Sequence, residues 1–221
     1  MAENTKAKHY YHRKSNSGRR SNNSLNTTLI RNRLIICGAA LMSITVIFLI
    51  IFGIYKLIPK LQDTKDRAIY SVNYEDIIDR YSKEYNLDKA FVCGLIHCES
   101  SFDADAESGV GAKGLMQMTD ETFDWMQERD SGYVSMSPDE LFTPEISIKY
   151  GCMFLDLLFD VYDSEELVLC AYNAGMGNTD DWLETYSDGY GGLSYIPFPE
   201  TESYVYNVTE ARDNYKELYG F

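Results

Sequence analysis

Residues 99–118 read Glu-Ser-Ser-Phe-Asp-Ala-Asp-Ala-Glu-Ser-Gly-Val-Gly-Ala-Lys-Gly-Leu-Met-Gln-Met. Upstream, Asp88 is placed to cap a helix that carries Phe91, Val92, Leu95 and Ile96 at 3–4 spacing, one buried face. Glu99 falls in the last turn of that helix, after an apolar stretch. Downstream, Gly109, Gly111 and Gly114 let the backbone turn sharply and approach a ligand closely. A carboxyl at a helix C-terminus in an apolar setting is pushed toward its neutral form by the helix dipole and by desolvation. A carboxylic acid still protonated near neutral pH is what a general acid for a glycosidic oxygen requires. From position alone, a solvated surface glutamate is the better reading.

Working outward, the patterns stay helical. Asn73 is expected to cap a segment reaching Tyr85, and Thr119 or Asp120 to start a helix through Trp125. Thr143-Pro144 is a cap followed by proline at the first helical position; that helix should run to Tyr162 with Ile148, Cys152, Leu155 and Phe159 on one face. Ser164 starts another, ending near Gly175. Residues 179–186 and 201–219 complete the helices, while the glycine-rich 187–196 stretch is not helical. The class is mainly α, with any short strands confined to 103–118.

The N-terminal quarter is different. Residues 34–55 run for 22 positions without a charged residue, which as a helix spans about 33 Å, enough for a hydrocarbon core of about 30 Å. The run is too long for a signal peptide, follows 33 residues, and shows no small-residue cleavage pattern; it reads as an uncleaved anchor. Residues 1–33 hold eight Lys/Arg and one acid, whereas residues 56–221 hold twelve Lys/Arg and 33 Asp/Glu. Basic residues beside a span stay in the cytoplasm, so the acidic part is expected outside. The expected organisation is a basic disordered cytoplasmic arm over 1–33, a transmembrane helix over 34–55, a stalk over 56–70 and one domain over 71–221. The acidic charge of the outer part argues against nucleic acid as its ligand.

Cys37 lies in the span, and Cys93, Cys98, Cys152 and Cys170 lie beyond it. Four outer cysteines permit two disulfides in three connectivities, and small buried thiols fit as well. Cys93 and Cys98, five apart on one helix, are too far apart to bond each other.

The 99–118 stretch resembles the signature of the soluble lytic transglycosylases, a peptidoglycan-cleaving family with a goose-type-lysozyme-like fold. Two later blocks match in order, Ala171-Tyr172-Asn173-Ala174-Gly175 and Pro199-Glu200-Thr201-Glu202-Ser203-Tyr204-Val205. The resemblance implies a lysozyme-like α+β domain with few strands and Glu99 as the catalytic acid. It implies that Ser108, Gln117, Ala171, Tyr172, Asn173, Glu200 and Tyr204 line or support a saccharide cleft, with Ser100 supporting the acid. Gln117 and Asn173 carry donors and acceptors suited to acetamido groups, and Tyr172 and Tyr204 offer flat faces and hydroxyls. Thr119-Asp120 stands where the family often has Met-Pro, which removes an apolar contact. The stretch 186–196 does not map onto the family.

The implied activity is cleavage of the MurNAc–GlcNAc β-1,4 bond of peptidoglycan, one glutamate serving as acid and then base, with 1,6-anhydroMurNAc ends and neither cofactor nor metal. Two alternatives stay open: a lysozyme-type muramidase, with Asp103 or Asp105 holding the water, and a non-catalytic peptidoglycan-binding scaffold. Gly109-x-Gly111-x-x-Gly114 fits a dinucleotide fingerprint literally, but no strand precedes it and no parallel βαβ pattern surrounds it. His97, the one histidine of the outer part, with Cys93 and Cys98 lacks a fourth ligand at metal spacing. A membrane tether beside a wall-cutting domain suggests local work for an envelope-spanning secretion or conjugation machine, or in wall growth.

Overall fold

The computed structural model describes the backbone of residues 17–132 and 135–221, with side chains from 26 onward. The chain divides into two compact units, residues 1–62 and 63–221.

Helix α1 runs from Ser17 to Ile69. It contains the whole apolar stretch, and its large side chains there are exposed, Leu34 at 68% and Met42 at 70%. It is a helix long and apolar enough to cross a membrane. The helix begins earlier and ends later than the apolar stretch. Residues 17–33, expected as disordered arm, are helical, and so is the expected stalk up to Ile69. Once an apolar stretch nucleates a helix, each flanking residue adds a hydrogen bond for one residue fixed, and Pro59 is tolerated inside. The rest of the expected arm, residues 1–16, lies outside the described residues.

The second unit is built from α2 (Glu75–Glu84), α3 (Lys89–Ser100), α4 (Asp120–Gln127), a 3-10 turn (Pro138–Phe142), α5 (Pro144–Val161), α6 (Glu165–Ala174), α7 (Met176–Tyr186) and α8 (Pro199–Tyr219). It is mainly α, as the sequence indicates. Pairing outside the helices amounts, among the described residues, to isolated bridges: Glu107 with Lys113, Lys113 with Met118, and Ser187 with Leu193. Two of these fall in the 103–118 stretch.

Local chemistry sets the helix starts. Asp88 accepts hydrogen bonds from the Ala90 and Phe91 amides, Thr119 from Thr122 and Ser164 from Leu167, each satisfying an otherwise orphaned donor. Asn73 does not cap α2. Tyr74 takes the N-cap position in a left-handed conformation, φ 58°, with no side-chain bond. Acidic Glu75 and Asp76 in the first turn instead complement the helix dipole. Helices α7 and α8 start earlier than expected, after Gly175 and at Pro199.

The buried core gathers Phe91, Leu95, Ile96, Phe123, Ile148, Leu155, Val168 and Tyr215. Helix α3 lies at its centre and packs most extensively on α8. Gly94 makes that approach possible: a Cβ there would stand 2.8 Å from the Arg212 amide nitrogen and 3.0 Å from the Val208 carbonyl oxygen. Gly114, at φ +74°, plays the same part in the loop, its missing Cβ giving room to the Leu141 carbonyl. Cys93, Cys152 and Cys170 are buried, Cys98 is partly buried, and all four are unpaired thiols.

Candidate active site

Glu99 is the penultimate residue of α3, and the chain reverses immediately beyond it. Ser101 and Phe102 both adopt left-handed backbone conformations, φ 52° and 64°, which cost a non-glycine residue roughly 1–2 kcal/mol each. Burial of the Phe102 ring and the bond from the Ser101 amide to His97 O offset this. The Ser100 hydroxyl donates to Leu115 O at 2.8 Å, so the residue next to Glu99 ties the helix end to the far arm of the glycine-rich loop.

A groove of about 610 Å³ opens where α3, α6 and α8 converge. Glu99 lines it together with Asn173 from the end of α6 and Glu200, Ser203 and Tyr204 from the first turns of α8. The Tyr204 hydroxyl donates to Glu99 Oε1 at 2.5 Å. Burial raises the Glu99 carboxyl from its ordinary 4.5 to about 7, and the Tyr204 bond, which favours the charged form, opposes that shift without cancelling it. Tyr204 and Tyr172 are in turn pushed well above the usual tyrosine value, first by burial and then by the nearby Glu99 charge, so both phenols stay protonated and act as donors.

The other residues singled out from sequence fall into two groups. Asn173 and Glu200 line the groove. Asn173 Oδ1 accepts a 2.8 Å bond from the buried Thr201 hydroxyl, which turns the amide nitrogen away from Thr201. Ser108, Gln117 and Tyr172 brace the loop. Ser108 Oγ accepts from the Ala112 amide at 3.0 Å. Gln117 sits at φ 46° with Nε2 donating to Gly114 O at 2.9 Å and Ala106 O at 3.0 Å, so its amide donors serve the loop's own carbonyls. The Tyr172 hydroxyl donates to Met116 O at 2.8 Å. Ala171 is buried.

Thr119 and Asp120 have local work. The first caps α4 and the second holds Lys113 at 3.0 Å. Asp103 accepts from the Asp105 amide at 3.0 Å, and neither aspartate lines the groove. In 186–196, Asp188 accepts from the Tyr190 and Gly192 amides and Glu166 from Leu193, which closes the segment into a compact loop.

Sequence reasoning missed Tyr70, His97, Cys98, Asn207 and Glu210, which also line the groove. Asn207 and Glu210 were within reach. They continue the face of α8 that carries Ser203 and Tyr204, at helical spacing.

The Transglycosylase SLT domain family matches residues 76–190. A soluble lytic murein transglycosylase from Salmonella typhimurium is 28% identical over 155 residues, covering 68% of this chain and 24% of that protein. The membrane-bound lytic murein transglycosylase C of Edwardsiella ictaluri is 27% identical over 171 residues, covering 66% of this chain and 47% of that protein. The crystal structure of the 70 kDa soluble lytic transglycosylase from Escherichia coli superposes with a TM-score of 0.63 at 29% identity, over 68% of this chain and 25% of that one. The chain thus spans about a quarter of the soluble relatives' length.

Proposed function

The chain belongs to the transglycosylase SLT domain family, and from that membership we propose that its second unit is a lytic transglycosylase acting on peptidoglycan with Glu99 as acid and base. The observation that carries this reading is a single carboxyl held near neutrality, pKa about 7, on a groove wall.

The reaction runs in two steps at that one group. Neutral Glu99 gives its proton to the oxygen joining muramic acid C1 to the next sugar. The C1–O bond breaks, its electrons stay on the oxygen, and the leaving sugar departs as an alcohol. The substrate's own acetamido oxygen stabilises the cation at C1, the substrate-assisted exception to two-carboxylate hydrolysis. Glu99, now a carboxylate steadied by the Tyr204 hydroxyl, takes the proton of the C6 hydroxyl. That oxygen bonds to C1, the 1,6-anhydro ring closes and Glu99 is neutral again. Neither Asp103 nor Asp105, the candidates for holding a hydrolytic water, lines the groove, which favours ring closure over a lysozyme-type reaction.

Residues 34–55 serve in this reading as the membrane anchor, with Arg31 and Arg33 on the cytoplasmic side and the acidic unit outside. The test uses the full chain in detergent on purified peptidoglycan, wild type beside Glu99→Gln, with products read by mass spectrometry. Anhydro ends released by wild type and lost in E99Q are the expected result. Reducing ends mean a hydrolase, retention of glycan without release means a binding protein, and full activity in E99Q removes Glu99 from its role.

A further inference from the structure

The matched family segment begins at residue 76, yet the groove has a wall from before it. Tyr70, the residue directly after α1, lines the groove. It is fastened there from several directions. The Tyr219 hydroxyl donates to Tyr70 O at 2.9 Å, and Asn214 Nδ2 donates to Tyr70 Oη at 3.1 Å. The Tyr70 ring lies 5.0 Å from that of His97 and meets Tyr215 edge-on at 5.5 Å. Just upstream, Arg67 donates to Leu218 O and lies over the Tyr219 ring at 5.1 Å. The segment expected as a stalk is, from Asp63 on, part of the compact unit.

The groove follows α8 from Glu200 through Tyr204 and Asn207 to Glu210. Tyr204 and Glu210 are six positions apart, about 9 Å of helix, so the Glu210 end of the groove lies that far along α8 from the residue that holds Glu99. The groups there are an aromatic ring, a phenol, the Asn207 amide and the Glu210 carboxylate, and among the described residues no lysine or arginine lines the groove. Among the described residues the Tyr70 hydroxyl accepts from Asn214 and has no acceptor for its own proton. Rings, amides and carboxylates are the groups that grip a neutral polyol, through its hydroxyls and apolar faces.

We propose that Tyr70 is a specificity-determining residue of the substrate groove, supplied by the segment that follows the apolar helix, and that it holds a sugar of the bound strand beyond the pair joined by the scissile bond. This rests on the groove being a glycan site, as argued above. The anchor's extension is then a working part of the substrate site and sets a preference for longer strands.

The test is binding to the full chain in detergent, in the Glu99→Gln background, by calorimetry with peptide-free glycan strands of two and of four disaccharides. With Tyr70→Ala the ratio of long-strand to short-strand affinity is expected to fall about tenfold, while Tyr70→Phe, which keeps the ring, retains most of it. An unchanged ratio overturns the proposal. Equal losses for both lengths overturn it too, since that is what a general loosening of α8 would give. Because the readout is binding, a wild type that grips long strands but forms no anhydro ends would sink the proposed reaction and leave this result standing.

Discussion

The Tyr204 hydroxyl and the Glu99 carboxylate meet at 2.5 Å across the contact of α8 with α3, residues 105 positions apart in the chain. Their bond pulls the Glu99 pKa down against the burial that raises it. Removing it in Tyr204→Phe leaves burial unopposed, so the pKa rises further above about 7 and the acid form persists to higher pH. The alkaline limb of kcat/KM for glycan cleavage should move up by about one unit. A pH–rate profile that stays in place would separate Tyr204 from the acid's titration.

Glu99 also taxes the fold. Its folded pKa of about 7 lies above its ordinary 4.5, so folding keeps a proton that the unfolded chain gives up. Stability is whole below pH 4.5, falls as pH rises toward 7 and then levels off, a loss of about 3 kcal/mol. Glu99→Gln removes that loss. Its melting temperature should match wild type near pH 4 and exceed it at pH 8, measured by thermal unfolding at the two pH values.

Thr201 acts on the groove through Asn173. Its hydroxyl, buried in the first turn of α8, points the Asn173 oxygen inward and so presents the amide nitrogen as the donor. Thr201→Val keeps the shape and frees the amide to flip, and KM should rise about three- to tenfold with kcat less affected. Thr201→Ser restores the hydroxyl and should restore KM, a rescue that a packing role alone would not give.

Gly94→Ala tests whether the α3–α8 approach sets the site. The added Cβ meets backbone of Val208 and Arg212 rather than a movable side chain, so the helices must part. Thermal unfolding should report a loss of about 1–3 kcal/mol. Activity on peptidoglycan should drop more than stability explains, because the Tyr204–Glu99 bond crosses the same contact.

What the sequence revealed and what it hid divide along physical lines. Helix starts at Asp88, Thr119 and Ser164 were readable because a cap is an interaction over two or three residues. Asn73 failed for the opposite reason, since the left-handed turn at Tyr74 follows from how the segment enters the domain. The 3-10 turn at 138–142 went unread although Ser137-Pro138 is itself a cap followed by proline. In the site, the carboxyl and its apolar setting were visible in the order of residues. The division of labour between Asn173, which lines the groove, and Gln117, which props the loop, was not. It depends on Gln117 adopting φ 46°, and no pattern of residue types encodes which way such an amide turns. Tyr70 was beyond reach for the same reason, since only the fold brings it beside Glu210.

The separate thiols of Cys93, Cys98, Cys152 and Cys170 carry a consequence for how the domain matures. Burial lifts the Cys93 and Cys170 thiols to about 12, which leaves almost no thiolate to start disulfide exchange. A unit held by packing alone assembles without an oxidant or a disulfide isomerase, and its melting temperature should be the same with and without dithiothreitol.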